Sequence, residues 1–346
     1  MFSEDINLEV LNYTNAKYQN LKPSLTFSAQ TIPQAESWQK IMRSQLIELI
    51  GDLPKYRGEL NSKVIKIEDF GTYTRETILF DSAENMKVFA FLLVPKFSGN
   101  VKMPVIMCVH GHGRGVNDVV GIQNGITYGN FNGIHKNYAV QAVNQGYVVL
   151  AIEQFGFGRR RTTDHLDSAN ESQSSCNLLS GTAFLLGETM IKWRVIDVMS
   201  AIDYLETRKE IDFDRIAVMG LSGGGTTSFF SSALDERIKL AIISGYFCTF
   251  KDSIFNINHC IDNYIPGILK YAEMYDIAGL IAPRGLFIES ATNDPIFPID
   301  ATKYAIEKAE QIFTCFGAKN SFSYEIFEGE HEFYGKGAFE FAKSFL

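Results

Sequence analysis

Between Ala35 and Ile50 the apolar residues Trp38, Ile41, Met42, Leu46, Leu49 and Ile50 recur at helical spacing, and Gly51 supplies a stop. The spacing predicts a helix that packs one face on a core, and residues 1–60 as a whole read as a peripheral helical extension. From Lys63 the period changes. Lys63–Phe70, Tyr73–Phe80 and Lys87–Val94 are short strand-like runs, punctuated by Gly71 and by Asp81–Asn85, and three in a row predict an antiparallel meander. After Pro104 it changes again. The apolar runs Val105–Val109, Tyr147–Ile152, Ile216–Met219, Leu240–Ser244, Gly285–Glu289 and Phe322–Phe327 alternate with helical stretches at Ile134–Gln145, Glu188–Thr207, Thr226–Leu234 and Asp300–Cys315. Strands that are apolar on both faces, joined by helical crossovers, predict an α/β fold with a mostly parallel sheet covered on both sides. Ligands of such sheets sit beyond the carboxyl ends of the strands, so that is where chemistry is expected. No repeat, low-complexity tract or linker divides residues 61–346, which read as one unit behind the 1–60 extension.

Composition narrows the function classes. A chain of 346 residues buries about three quarters of its unfolded surface and needs no staples. With 40 acidic against 32 basic residues the net charge is −8, which lacks the basic footprint of a nucleic-acid partner. No apolar run approaches the ~18 residues that cross a bilayer, and Glu4, Asp5 and Glu9 stand where a secretory signal needs basic charge. The five cysteines are widely spaced and include no CxxC pair, which predicts reduced thiols and a cytoplasmic location. The spacing of Cys248 and Cys260 leaves their pairing open.

The residues with chemical promise follow strands. Ile216–Met219 runs into Gly220-Leu221-Ser222-Gly223-Gly224 and then into a helix, a G-x-S-x-G turn that presents a serine hydroxyl at the top of the sheet. A serine needs a base to become a nucleophile, and His331 follows the last strand on the loop Glu328-Gly329-Glu330. The base needs a carboxylate to hold its tautomer. Asp294, after the penultimate strand, is the choice; Asp300 sits where a helix N-cap is wanted and Asp252 follows the preceding strand. Val105–Val109 ends in His110-Gly111-His112-Gly113, so the backbone N–H of His112 or Gly113, with that of Gly223, is the expected oxyanion donor set. His110 and His112 also invite a metal reading, but no acidic or cysteine partner stands beside them at ligand spacing, and no metal or other cofactor is expected. Arg159-Arg160-Arg161 faces the same end of the sheet; an anionic substrate is one reading and solvated or structurally paired arginines the favoured one, while Arg194, Asp197 and Asp203 read as packing and surface pairing.

Taken in order, His110–Gly113, Gly220–Gly224, Asp294 and His331 resemble the α/β-hydrolase superfamily, and more narrowly its dienelactone hydrolase-like, acetyl xylan esterase-related branch. The resemblance covers roughly residues 60–346. It implies an α/β-hydrolase fold and a Ser222–His331–Asp294 triad, with His112 and Gly223 as oxyanion donors. It also implies a cofactor-free carboxylic ester hydrolase acting on a small-molecule ester, with a short acyl group such as acetyl on a sugar. Dienelactone hydrolases proper carry a nucleophilic cysteine where this chain has Ser222. Glucuronoyl esterases carry an arginine where this chain has Gly223, which argues against their substrate. A small peptidase, a carbon–carbon bond hydrolase and a non-catalytic binding protein are the alternatives. The expected pocket walls are 117–137, 155–187 and 247–267, with Tyr128, Phe157, Tyr246 and Tyr264 as candidate substrate contacts. The N-terminal helices are candidates to cover the mouth or to support a homodimer.

Overall fold

The chain is described from a computed structural model covering residues 9–54, 58–96, 101–127, 133–167 and 170–346. Its strands are β1 (Lys63–Asp69), β2 (Tyr73–Ala83), β3 (Met86–Pro95), β4 (Met103–Val109), β5 (Ile122–Gln123), β6 (Ile126–Thr127), β7 (Val148–Ile152), β8 (Ile211–Leu221), β9 (Leu240–Ser244), β10 (Gly285–Ala291) and β11 (Phe322–Phe327). Among the described residues, nine of them join one sheet in the order β1-β2-β3-β7-β4-β8-β9-β10-β11, and β5 pairs with β6 alone. The meander β1–β3 is antiparallel and meets β7 antiparallel. From β7 to β11 every pairing is parallel. The alternation read from the sequence is thus realised as a mostly parallel sheet with an antiparallel meander at one edge.

Burial explains the pattern. Every residue of β7, β9 and β10 is buried, as strands sandwiched between helical layers must be. One face packs on helices Ile32–Ile50, Met190–Glu206, Gly223–Leu234 and Ile299–Cys315, the other on Tyr138–Asn144 and Lys336–Ala342. Helix Ile32–Ile50 turns Ala35, Met42, Leu46 and Ile50 inward, all fully buried, and ends at Gly51 with φ 106°. No helix among the described residues is long and apolar enough to cross a membrane.

Several boundaries differ from the periodicity, three of them for a clear local reason. Strand β8 starts at Ile211 rather than Ile216, because Asp212, Asp214 and Arg215 extend it past the apolar run with Phe213 still packed on the core, and Arg215 pairs with Asp212 at 2.7 Å. The helix expected from Ile134 begins at Tyr138, since Lys136 (φ 47°) and Asn137 (φ 42°) take left-handed backbone just before it. The helix after Ser222 begins at Gly223, three residues early, despite three poor helix formers in its first turn.

Candidate active site

Ser222 sits between the last residue of β8 and the first of helix Gly223–Leu234 with φ 57° and ψ −124°, a conformation that L side chains avoid. It persists because the surroundings over-determine it. The Ser222 N–H donates to the Ser244 carbonyl at 2.9 Å, and the Ser222 carbonyl accepts from the Thr226 N–H at 2.9 Å. The flanking glycines are steric requirements: a Cβ at Gly220 would run into the Gly224 carbonyl, and one at Gly224 into the Val109 carbonyl. The hydroxyl therefore stands at the start of a helix, whose first N–H groups have no intrahelical acceptor.

His331 and Asp294 meet above this turn. His331 Nδ1 lies 2.6 Å from Asp294 Oδ2, while Asp294 Oδ1 accepts the N–H groups of Ile296 (2.8 Å) and Phe297 (3.1 Å). The carboxylate is thus fully engaged and, at 7% exposure, shielded from water. The imidazole stacks on Phe297 with centroids 5.8 Å apart and lies against Gly245, where a Cβ would come within 3.2 Å of His331 Cε1. His331 Nε2 is buried and has no partner among the described residues. The two other carboxylates weighed lie elsewhere: Asp300 in the first turn of helix Ile299–Cys315, and Asp252 bonded to the Thr249 hydroxyl at 2.9 Å.

The loop after β4 is held by buried histidines. His110 Nε2 accepts the Gln154 N–H at 2.9 Å, and His135 Nε2 accepts the Gly111 N–H at 2.9 Å. Both rings are therefore neutral acceptors, and burial pushes His110 down to about 4 and His135 down to about 3. The Gly111 N–H is therefore taken by His135. Gly113 has φ 151°, and a Cβ there would run into Asp118. The His112 ring stands over Gly223, where a Cβ would lie 3.4 Å from Nδ1. Of the expected oxyanion residues, His112 thus stands against Gly223, the residue that follows Ser222, while Gly113 packs toward Asp118 and His135.

Behind this loop lie residues whose role was not legible. Arg194 and Asp262, 1% exposed each, form an ion pair at 2.8 Å. Arg194 also donates to the Phe155 carbonyl at 3.1 Å and lies under the Phe157 ring. Burial would push the Asp262 carboxyl up, but the guanidinium overrides it and holds the group low. Asp262 Oδ2 faces His112 Nε2 at 3.7 Å. The helix Met190–Glu206 thus carries two buried charges, Arg194 and Asp197, in place of the surface pairing its spacing suggested. Asp197 accepts from Arg160 and from the Ser82 hydroxyl (2.7 Å). Arg159 pairs with buried Glu153 at 3.0 Å and Arg161 donates to the carbonyls of Gly158 (2.7 Å) and Asn170 (3.0 Å), so the arginine run is structurally committed. His112, Cys260 and Asp262 are the one group among the described residues with metal-ligand spacing. Arg194 already supplies the positive charge there. All five cysteines are free, Cys248 buried and Cys260 exposed.

Of the candidate substrate contacts, Tyr128 lies outside the described residues. Tyr246 (0% exposed) and Phe157 (1%) are corrections, since they are core residues with no surface for a ligand: Tyr246 packs on Phe229, and Phe157 against His110, His112 and Arg194. Tyr264 is 36% exposed. It borders an apolar cavity of about 230 Å³ with Phe250, Ile254, Phe255 and Leu21, and its hydroxyl donates to the Ile254 carbonyl.

The model of a family described as the abhydrolase family matches residues 8–323. A Bacillus subtilis (strain 168) protein named as a hydrolase, YtaP, is 29% identical over 282 residues, covering 79% of this chain and 85% of its own. Among solved structures, a Bacteroides fragilis protein described as an acetyl xylan esterase superposes with a TM-score of 0.77 at 18% identity, covering 94% of this chain and 84% of that one. A glucuronoyl esterase from Solibacter usitatus gives 0.67 at 17% identity, covering 94% and 99%. At such identities the two structures speak for the fold.

Proposed function

The chain belongs to the abhydrolase family, and from that premise we propose that it hydrolyses carboxylic esters through an acyl-enzyme on Ser222. The observation that carries this reading is the His331–Asp294 pair at 2.6 Å, whose other imidazole nitrogen is buried without a partner among the described residues, with the ring against Gly245, next to the Ser244 that holds the strained Ser222 turn. In the proposed reaction His331 Nε2 takes the Ser222 Oγ proton as the oxygen bonds to the ester carbon. Negative charge collects on the former carbonyl oxygen, which accepts from the N–H groups of Gly223 and of His112 or Gly113. The alkoxy C–O bond then breaks and the departing oxygen takes the proton from His331. Water, deprotonated by His331, attacks the acyl carbon and releases the acid and Ser222. Asp294 keeps the Nδ1 proton in place throughout and balances the imidazolium.

The substrate class is a short acyl ester, acetyl by preference, of a carbohydrate alcohol. Support comes from the structural similarity to a protein described as an acetyl xylan esterase and from Gly223 standing where glucuronoyl esterases carry arginine. The test is hydrolysis of p-nitrophenyl acetate, butyrate and octanoate by the wild type and Ser222→Ala. The expected result is activity falling with chain length and a loss of at least about a thousandfold in the variant. Activity that survives in Ser222→Ala, or no hydrolysis of any ester by the wild type, overturns the reading.

A further inference from the structure

Glu289 lies within β10, directly opposite Ser244 of β9, and is fully buried. A carboxylate in such a place needs a cation or several donors. No cation pairs with it among the described residues. Its oxygens instead collect three donors from two different parts of the chain. The Ser244 hydroxyl donates to Oε1 at 2.7 Å, the Tyr334 N–H to Oε1 at 2.8 Å, and the Gly335 N–H to Oε2 at 2.5 Å. Its own backbone carbonyl accepts the Gly245 N–H at 2.9 Å.

Each of these donors lies next to a component of the site. Ser244 is the residue whose carbonyl takes the Ser222 N–H. Gly245 is the surface on which the His331 ring rests. Tyr334 and Gly335 are three and four residues beyond His331, and they close its loop. One side chain therefore fastens the strand end that holds the serine turn to the loop that carries the imidazole.

We propose that Glu289 is the positioning residue that fixes His331 against Ser222. The inference rests on the Ser222–His331 reading given above. Glu289 touches neither reacting atom; it acts by setting the distance and angle between Ser222 Oγ and His331 Nε2. Proton transfer needs heavy atoms about 2.6–3.2 Å apart, and supporting groups must hold such geometry within about 0.5 Å. A neutral amide in its place would present an NH2 donor to one of the backbone N–H groups, which forces that leg of the loop away.

The control lies one strand over. Glu325 of β11 accepts the Gly337 N–H at 2.7 Å, so it braces the same C-terminal segment without touching Ser244. Three variants are compared with the wild type: Glu289→Gln, Ser244→Ala and Glu325→Gln. The first readout is the rate at which a fluorophosphonate labels Ser222, which needs an activated serine but no particular ester. The second is kcat on phenyl acetate and on ethyl acetate, because the poorer leaving group depends more on a proton from His331. Glu289→Gln is expected to slow labelling by about 10- to 100-fold, with a greater loss on ethyl than on phenyl acetate and little change in KM. Ser244→Ala, which keeps the charge and removes one donor, is expected to give a smaller loss of the same pattern, and it carries the test should Glu289→Gln not fold. Glu325→Gln is expected to match the wild type. Wild-type labelling rates in Ser244→Ala and in any folded Glu289→Gln, or an equal loss in Glu325→Gln, overturn the proposal. A wild type that is labelled but hydrolyses no ester would sink the ester reading alone.

Discussion

Gly111→Ala tests whether the loop after β4 and the serine turn are packed to tolerance. Gly111 is not left-handed, so its own backbone accepts a side chain. The obstacle is the neighbours: a Cβ would lie 2.7 Å from the Leu221 carbonyl oxygen, 3.0 Å from Ser222 Cβ and 3.4 Å from His135 Nε2. Ordinary contact begins at 3.4 Å, so the shortfall against Leu221 is 3.4 − 2.7 = 0.7 Å. Leu221 is held by β9 through the Leu221–Ser244 pairing, so the loop is the part that moves. It takes the Gly111 N–H away from His135 as it does. Overpacking of this kind costs about 1–3 kcal/mol. For a chain of this length, with about 2 cal/mol/K of unfolding entropy per residue, that is a fall in Tm of about 1.5–4 °C. A 1 Å misplacement costs about a hundredfold in rate, so 0.7 Å predicts a loss of roughly 10- to 100-fold in kcat. Gly181→Ala is the comparison, because a Cβ there meets nothing within 4 Å and lies inside helix Cys176–Leu185. It should raise stability by about 0.5–1 kcal/mol and leave kcat alone. The assays are thermal unfolding by fluorescence and steady-state hydrolysis of p-nitrophenyl acetate. A Gly111→Ala enzyme with wild-type kcat would refute the argument that the gap between loop and turn is fixed.

Asp294→Asn should keep the backbone hydrogen bonds to Ile296 and Phe297 yet lower kcat by about 10³–10⁴, since an amide no longer holds the imidazole in its working tautomer; a loss confined to KM contradicts this. His135→Gln preserves an acceptor for the Gly111 N–H and removes a titrating ring. With His135 held down to about 3 in the folded protein, the unfolded chain takes up the proton first. Stability is therefore lost as pH falls below about 6.5, by about 2 kcal/mol per such histidine between pH 7 and 5. Burial pushes Glu289 up to about 7, which acts in the opposite sense over the same range, so the quantity to measure is the difference between wild-type and variant stability curves from urea unfolding. A flat difference rules the assignment out.

What the sequence disclosed follows physical scale. Strands buried on both faces, such as Leu240–Ser244, announce themselves because every side chain must be apolar, and their order carries the topology. The serine turn, Asp294 and His331 were legible because each follows a strand, and the structure brings His331 to Asp294 and seats Ser222 on the expected turn. Buried charge is the opposite case. Arg194 finds Asp262 at a separation of 68 residues, and Glu289 finds Gly335 at 46. Nothing local distinguishes such residues from solvated ones. Tyr246 and Phe157 were misread for a related reason: an aromatic in a loop gives no local sign of which side faces the core, and both are enclosed.

Helix Ile32–Ile50 has a consequence for how the polypeptide is made. Its Gln39 amide donates to the carbonyls of Gly279 and Ala282, each at 2.6 Å, and Arg43 donates to those of Ala233 and Leu280, each at 3.1 Å. The Gln39–Ala282 pair spans 243 residues. At translation speeds of about 5–20 residues per second, this helix leaves the ribosome about 12–50 s before the last of these partners exists. During that interval its Met42, Leu46 and Ile50 face lacks part of the surface it docks on, so early synthesis is when the chain is most exposed to aggregation and to capture by holding chaperones.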